Sequence, residues 1–356
     1  MKAISLFSGM GGDSLGIVNA GLELIAYSEK EKIFRETHDL NFSNCKLLGE
    51  NVKSNITKIK DSEFLKYKNK IDLVFAGFPC QGFSNAGKKK MNDPRNTLFK
   101  EFLRASKLIN PTYIIGENVK GLLTKKTETG LKYIDIIVQE FENIGYNVKY
   151  KVLYTHKYGI PQRRARLIIV GIKTDLQKEV SFPPEETEIN DLRDIVKFNM
   201  KGSIKINKED FDMTTIPANC ILTDMENEEK ENNPHPYLKL YAKLKNQAYP
   251  KNSTKIYKNL LSFSKRNSPI HCEIIDIRRP CKTIICTYNN QPRLFVPLQN
   301  KNGYYLRCLL PDELKQIQGF PENFQIAGSD KNKIIQIGNA VPPTLVEKII
   351  NHIIKL

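Results

Sequence analysis

Ile4-Ser5-Leu6-Phe7-Ser8-Gly9-Met10-Gly11-Gly12 sets a short apolar run directly against a cluster of glycines. The run reads as a buried strand. Glycines between a strand and a helix let the backbone approach a ligand closely at the helix N-terminus. The same pattern recurs downstream. Leu24-Ile25-Ala26-Tyr27, Ile71-Asp72-Leu73-Val74-Phe75-Ala76 and Tyr113-Ile114-Ile115 read as buried strands, as do 148–153 and 167–170. Helix candidates at 30–41, 97–108 and 130–143 fall between them, the last with Ile134, Ile137, Val138 and Phe141 at helical spacing. This alternation predicts an α/β fold with a mostly parallel sheet covered on both faces.

Beyond about residue 173 the pattern changes. Residues 174–236 are polar, with Pro183-Pro184 and an acidic stretch from Glu209 to Glu231. Residues 232–272 hold no acid but carry Lys239, Lys243, Lys245, Lys251, Lys255, Lys258, Lys265 and Arg266, interleaved with Tyr237, Tyr241, Tyr249, Tyr257 and Phe263. That composition fits either a nucleic-acid face or a solvated charged surface. Pro342-Pro343 opens a C-terminal amphipathic helix with Leu345, Val346, Ile349, Ile350, Ile353 and Ile354. Its apolar stripe needs a partner. We therefore expect a first domain over 1–180, completed by 331–356, with a smaller domain inserted over 181–330.

The chain has 356 residues, more than one hydrophobic core usually serves, and a net charge of +16. An excess of that size points to a polyanionic partner, most simply nucleic acid. No apolar stretch approaches the roughly 18 residues of a membrane span, and the N-terminus runs at once into glycines. A soluble, cytoplasmic chain is expected. The seven cysteines are scattered without a Cys-x-x-Cys pair, so neither a metal site nor a disulfide framework is expected.

Chemistry concentrates at strand ends. Glu29, after the second strand, stands where a carboxylate can bond ribose hydroxyls, and with the glycine loop it implies an adenosine-containing cofactor. Ser14 occupies the third glycine position of a dinucleotide fingerprint, so the loop alone does not separate a nicotinamide from S-adenosylmethionine. The third strand ends in Gly77-Phe78-Pro79-Cys80-Gln81-Gly82-Phe83-Ser84, with Lys88, Lys89, Lys90 and Arg95 beyond. A thiol on a glycine-flanked, electropositive loop suits a nucleophile. The next strand ends in Gly116-Glu117-Asn118-Val119, which puts a carboxylate at the same edge.

In order, these blocks resemble the DNA (cytosine-5) methyltransferases of bacterial restriction–modification systems. They run from Phe7–Gly12 through Pro79-Cys80-Gln81, Glu117-Asn118-Val119 and Gln162-Arg163-Arg164-Ala165-Arg166. Arg279-Pro280 with Thr283 and Gly338-Asn339-Ala340-Val341-Pro342-Pro343 complete the series. The resemblance implies a Rossmann-like, S-adenosylmethionine-dependent domain with an inserted target-recognition domain. It implies Cys80 as the nucleophile, Glu117 as the group at ring nitrogen 3, and Arg164 and Arg166 holding the base. Cofactor contacts would come from Phe7, Gly9, Gly11, Gly12, Glu29, Asn55, Ile56, Pro79, Leu98, Asn339 and Val341, with Asn55 standing where the family often has an aspartate. DNA contacts are expected from Gln81, Ser84, Lys88, Lys89, Arg95, Arg163, Lys255, Lys258, Lys265 and Arg266. The implied partner is double-stranded DNA, engaged by a monomer associated with the nucleoid and paired with a cognate restriction endonuclease. The competing readings are an RNA cytosine methyltransferase, a catalytically inactive DNA-binding module and a nicotinamide dehydrogenase. The intact set of Cys80, Glu117, Arg164 and Arg166 argues against inactivity.

Overall fold

The structure, a computed structural model, describes residues 1–79, 98–208, 212–230, 273–290 and 292–356, with four short strands between 240 and 263. Strands β1 (Lys2–Leu6), β2 (Glu23–Ser28), β3 (Lys46–Leu47), β4 (Leu73–Ala76), β5 (Tyr113–Val119), β6 (Tyr146–Tyr154) and β8 (Ala165–Lys173) form one sheet; the short β7 (Gln162–Arg163) precedes β8 outside it. The order is β3-β2-β1-β4-β5-β8-β6, and only β8 runs against its neighbours. Helices α1 (Gly12–Asn19), α2 (Lys32–Asn41), α3 (Asp61–Leu65), α4 (Phe99–Ile109) and α5 (Tyr133–Glu142) connect the strands. The expected α/β alternation is present.

Burial explains the apolar runs. All four residues of β4 are buried, as a strand covered on both faces requires. On one face, Phe102 and Ile109 of α4 pack with Ile134, Ile137 and Phe141 of α5 and Phe64 of α3. Asn110 ends α4 in a left-handed conformation, φ 58°. Helix α5 starts three residues later than the periodicity predicts, because Gly130 adopts φ 85° and Lys126 bridges to Lys132 ahead of it. The opposite face is covered by Ile17 of α1 and by Leu345, Val346, Ile349, Ile350 and Ile353 of α8 (Pro343–Ile353).

A second core lies downstream. Its sheet has the order β10-β17-β18-β9, from β9 (Ile204–Lys205), β10 (Leu222–Asp224), β17 (Leu294–Asn300) and β18 (Gly303–Cys308). Strands β11 (Leu240–Leu244), β12 (Gln247–Ala248), β13 (Ile256–Tyr257) and β14 (Leu260–Phe263) nest in sequence, β11 pairing with β14 and β12 with β13. Strand β15 (Glu273–Ile274) pairs with β17, and β16 (Cys281–Lys282) pairs with β7. Leu192, Val196, Met200 and Met213, from the stretch that reads as polar, are buried in this core. So are Leu314 of α6 (Pro311–Ile317), Ile334 and Ile337 of α7 (Asp330–Asn339), and Met10 of the glycine loop. The two cores therefore meet at that loop.

Ile349 is fully buried, whereas Leu131 is 60% exposed. Ile349→Ala should cost about 2–5 kcal/mol of unfolding free energy. Leu131→Ala should change it by no more than about 0.5 kcal/mol in the same denaturant titration.

Candidate active site

Strand register assembles the site. Leu6 pairs with Ala76, and Ala76 with Gly116, so β1, β4 and β5 end level with one another. Because β8 is antiparallel, Arg166 at its start lies opposite Val119 at the end of β5. Phe7, Gly77, Glu117 and Arg166 thus emerge at one edge. A Cβ added at Gly77 would lie 3.6 Å from Val341 Cγ2, 3.8 Å from the Phe7 oxygen and 3.9 Å from Glu117 Oε2. Four of the sequence blocks converge on that point.

Arg166 Nε lies 2.7 Å from Glu117 Oε1, with both side chains nearly buried. Burial pushes the Glu117 carboxyl above its ordinary range, with Arg166 and then Arg164 pulling the other way. Asn118 donates from Nδ2 to the Phe78 oxygen at 3.1 Å, which pins the chain two residues ahead of position 80. Cys80, Gln81, Ser84, Lys88, Lys89, Arg95, Lys255, Lys258, Lys265 and Arg266 lie outside the described residues. Among the described thiols, Cys220, Cys281 and Cys308 are buried, and burial pushes Cys308 up to about 12.

Arg164 is bonded to backbone carbonyls, while its charge also acts on Glu117. Only 1% exposed, it donates from Nη1 to the Ile284 oxygen at 2.9 Å and from Nη2 to the Gly338 and Ala340 oxygens at 3.0 and 3.2 Å. Arg163 donates to both Glu273 carboxylate oxygens, at 3.0 and 2.9 Å, and stays half-exposed.

Several of the residues expected to meet the cofactor cluster around the glycine loop. Gly9 donates its N–H to Glu29 Oε2 at 2.9 Å, and Glu31 donates to Oε1 at 2.7 Å. Burial raises the Glu29 pKa against these bonds. The Glu29 N–H donates to Ser54 Oγ at 3.0 Å, which brings the half-buried Asn55 and buried Ile56 beside it. A Cβ at Gly12 would sit 2.0 Å from the Val341 oxygen, so only glycine permits this contact between the first and last blocks. At Gly9 an added Cβ would meet nothing within 4 Å, so the loop is open on that side. Asn339 is exposed, and Leu98 immediately precedes α4. A carboxylate for hydroxyls beside an open glycine loop fits an adenosine-bearing ligand.

A family model for C-5 cytosine-specific DNA methylases matches residues 1–355. The chain belongs to that family. It is a DNA cytosine-5 methyltransferase that uses S-adenosylmethionine. Type II methyltransferase M1.HphI of Haemophilus parahaemolyticus is 31% identical, over 99% of this chain and 86% of its own length. Type II methyltransferase M.FnuDI of Fusobacterium nucleatum is 32% identical, over 97% and 92%. Two solved structures share the fold with a TM-score of 0.63: the Entamoeba histolytica methyltransferase EhMeth, 18% identical over 100% and 98% of the two chains, and the S. pombe Dnmt2 methyltransferase, 16% identical over the same shares. Among the described residues of the enzyme, no helix is long and apolar enough to cross a membrane.

Sequence reasoning missed a buried polar chain beneath the glycine loop. Ser5 and Ser8 donate to Asp13, Ser8 at 3.1 Å; Ser8 and Ser14 hydroxyls lie 2.8 Å apart, and Ser14 lies 2.9 Å from His38 Nε2. Each hydroxyl has one proton. With Ser8 giving its proton to Asp13, Ser14 must donate to Ser8, and His38 must donate from Nε2 to Ser14. That tautomer leaves Nδ1 as a bare acceptor, and this atom is buried without a partner among the described residues. Nothing in periodicity marks such a chain: His38 falls inside the helix expected over 30–41, and Ser14 stands out only as a missing third glycine.

Burial raises Asp13 from 3.8 to about 6 and lowers His38 from 6.5 to about 3. The folded state therefore holds the Asp13 proton more tightly than the unfolded chain, and that stability is lost as pH rises through 6. For His38 the sign reverses: stability present above 6.5 is lost as pH falls towards 3. Relative to Asp13→Asn, the wild type should lose up to about 3 kcal/mol between pH 4 and 7. Relative to His38→Gln, it should lose stability as pH drops from 6.5. Parallel pH profiles in urea titrations would contradict both assignments.

Proposed function

We propose that this strand edge methylates a flipped cytosine in a specific duplex sequence. Cys80 acts as nucleophile, Glu117 as proton donor to ring nitrogen 3, and Arg166 orients Glu117 and bonds the base carbonyl. The reading is carried by the buried Glu117–Arg166 pair at 2.7 Å, on the strand beside the one that leads into position 80.

Cytosine carbon 5 is too weak a nucleophile to take a methyl group unaided. Addition of the Cys80 thiolate to carbon 6 pushes an electron pair to carbon 5, while Glu117 protonates nitrogen 3 and keeps the adduct neutral. The upward pull of burial on Glu117 favours the proton it must give. Phe7, Gly9, Gly11, Gly12, Glu29, Asn55, Ile56, Pro79, Leu98, Asn339 and Val341 would hold S-adenosylmethionine, which when bound would offer an electrophilic methyl group for carbon 5. Loss of the carbon 5 proton to solvent then expels Cys80, returns the nitrogen 3 proton to Glu117 and restores the ring. Ring attack inside a duplex is blocked by stacking, so the nucleotide must turn out at a cost of a few kcal/mol.

Residues 1–180 with 331–356 would carry the chemistry, and 181–330 the target reading. Bracing between them is supported by Thr283, which donates to the Arg163 oxygen at 2.8 Å, and by the β16–β7 pairing. The Type II names of the relatives support a role beside a restriction endonuclease that cuts the same site. We read the working form as a monomer.

Bisulfite sequencing of plasmid DNA from cells expressing the chain should reveal one methylated context, erased by Cys80→Ala. Glu117→Gln should lower turnover about 10²-fold or more with S-adenosylhomocysteine affinity unchanged. A covalent adduct between 5-fluorocytosine DNA and any cysteine other than Cys80 would refute the assignment. Affinity for DNA should fall roughly 10³–10⁵-fold between about 50 and 200 mM salt, the loss that six to ten phosphate contacts impose.

A further inference from the structure

Four distant segments meet in one buried polar knot. Ile284 donates its N–H to Gln162 Oε1 at 2.9 Å, Gln162 donates from Nε2 to Gln318 Oε1 at 2.5 Å, and Gln318 donates from Nε2 to the Ala340 oxygen at 2.7 Å. Direction along this chain is set by its ends, because a backbone N–H can only give and a carbonyl can only accept. The Arg164 guanidinium closes the knot on the Ile284, Gly338 and Ala340 oxygens. Gln162 and Gln318 are fully buried. Gly338 lies so close to the neighbouring segment that an added Cβ would stand 2.3 Å from the Cys286 nitrogen.

The bonded carbonyls, Gly338 and Ala340, flank Asn339. Held from inside on both sides, the end of α7 leaves Asn339 exposed and carries Val341 onto Gly12 and Gly77. We propose that Arg164 and Gln318 are positioning residues for the cofactor: they set the C-terminal end of α7 and the following residues 340–341 against the glycine loop, and Arg164 does not touch the base. This rests on the assignment of Asn339 and Val341 to the S-adenosylmethionine site. It separates the two arginines by task, Arg166 serving the base through Glu117 and Arg164 serving the cofactor through the Gly338 and Ala340 carbonyls.

Arg164→Lys keeps a charge but cannot reach three carbonyls with one ammonium. Gln318→Met keeps volume and removes both bonds. Calorimetric titration of S-adenosylhomocysteine into each full-length variant without DNA, well below its Tm, should show affinity weakened about tenfold or more, the scale of one buried carbonyl left without its donor. Trapping on 5-fluorocytosine DNA should recover at saturating S-adenosylmethionine. Arg166→Lys should instead keep affinity within about twofold and lose trapping at any cofactor concentration. The double variant should lose less than the product of the single losses, because both residues serve the Ala340 carbonyl. A purely structural role would lower Tm and leave affinity unchanged. Unchanged affinity in both variants overturns the proposal, and if Arg164→Lys does not fold, Gln318→Met alone decides. Wild-type enzyme that binds no S-adenosylhomocysteine would overturn the cofactor assignment itself.

Discussion

Leu6, Ala76 and Gly116 stand level in adjacent strands, and the site depends on that alignment. Three buried strands release their chains at one edge, where polar groups can turn towards a ligand without crossing the apolar interior. The reversed β8 adds an arginine to the same edge, which a parallel strand would have delivered to the far side. Small shifts in register would separate Glu117 from Arg166 before any catalytic residue changed.

Three carboxyls near this edge show how one environment is put to different uses. Burial raises the pKa of Asp13, Glu29 and Glu117 alike. Glu29 is met by backbone N–H groups, Asp13 by serine hydroxyls and Glu117 by a guanidinium. The partners of the first two come from β1, the glycine loop and Glu31 ahead of α2. Arg166 comes from the neighbouring strand β8, so the Glu117 pair depends on strand register rather than on local turns.

Legibility followed pattern strength. The first strand and its glycine loop, the runs at 71–76 and 113–115, and the C-terminal apolar stripe were readable because their burial is continuous or periodic. The second core was not, because Leu192, Val196, Met200 and Met213 stand singly among polar residues and only distant partners bury them. Residue types located Arg164 and Arg166 in one block but could not distinguish their tasks. A guanidinium fits a base edge and a set of carbonyls equally well, and only the folded neighbours decide. Gln318 was hidden more completely, since a buried glutamine after Leu314 and Ile317 looks like the polar end of a helix.

The knot around Arg164 also accounts for how so long an intervening segment is tolerated. Between β8 and Cys281 the chain travels through the second core before it returns to pair with Gln162-Arg163. Closing a longer loop costs only slowly more entropy, so its length matters less than whether its ends are fixed. Here the return is fixed three times over: by the β16–β7 pairing, by Thr283 on the Arg163 oxygen, and by Arg164 on the Ile284 oxygen. Buried apolar side chains could supply similar stability, but they would not specify which carbonyl meets which donor. With those directions specified, residues between the anchors can change while the edge where β1, β4 and β5 end keeps its geometry.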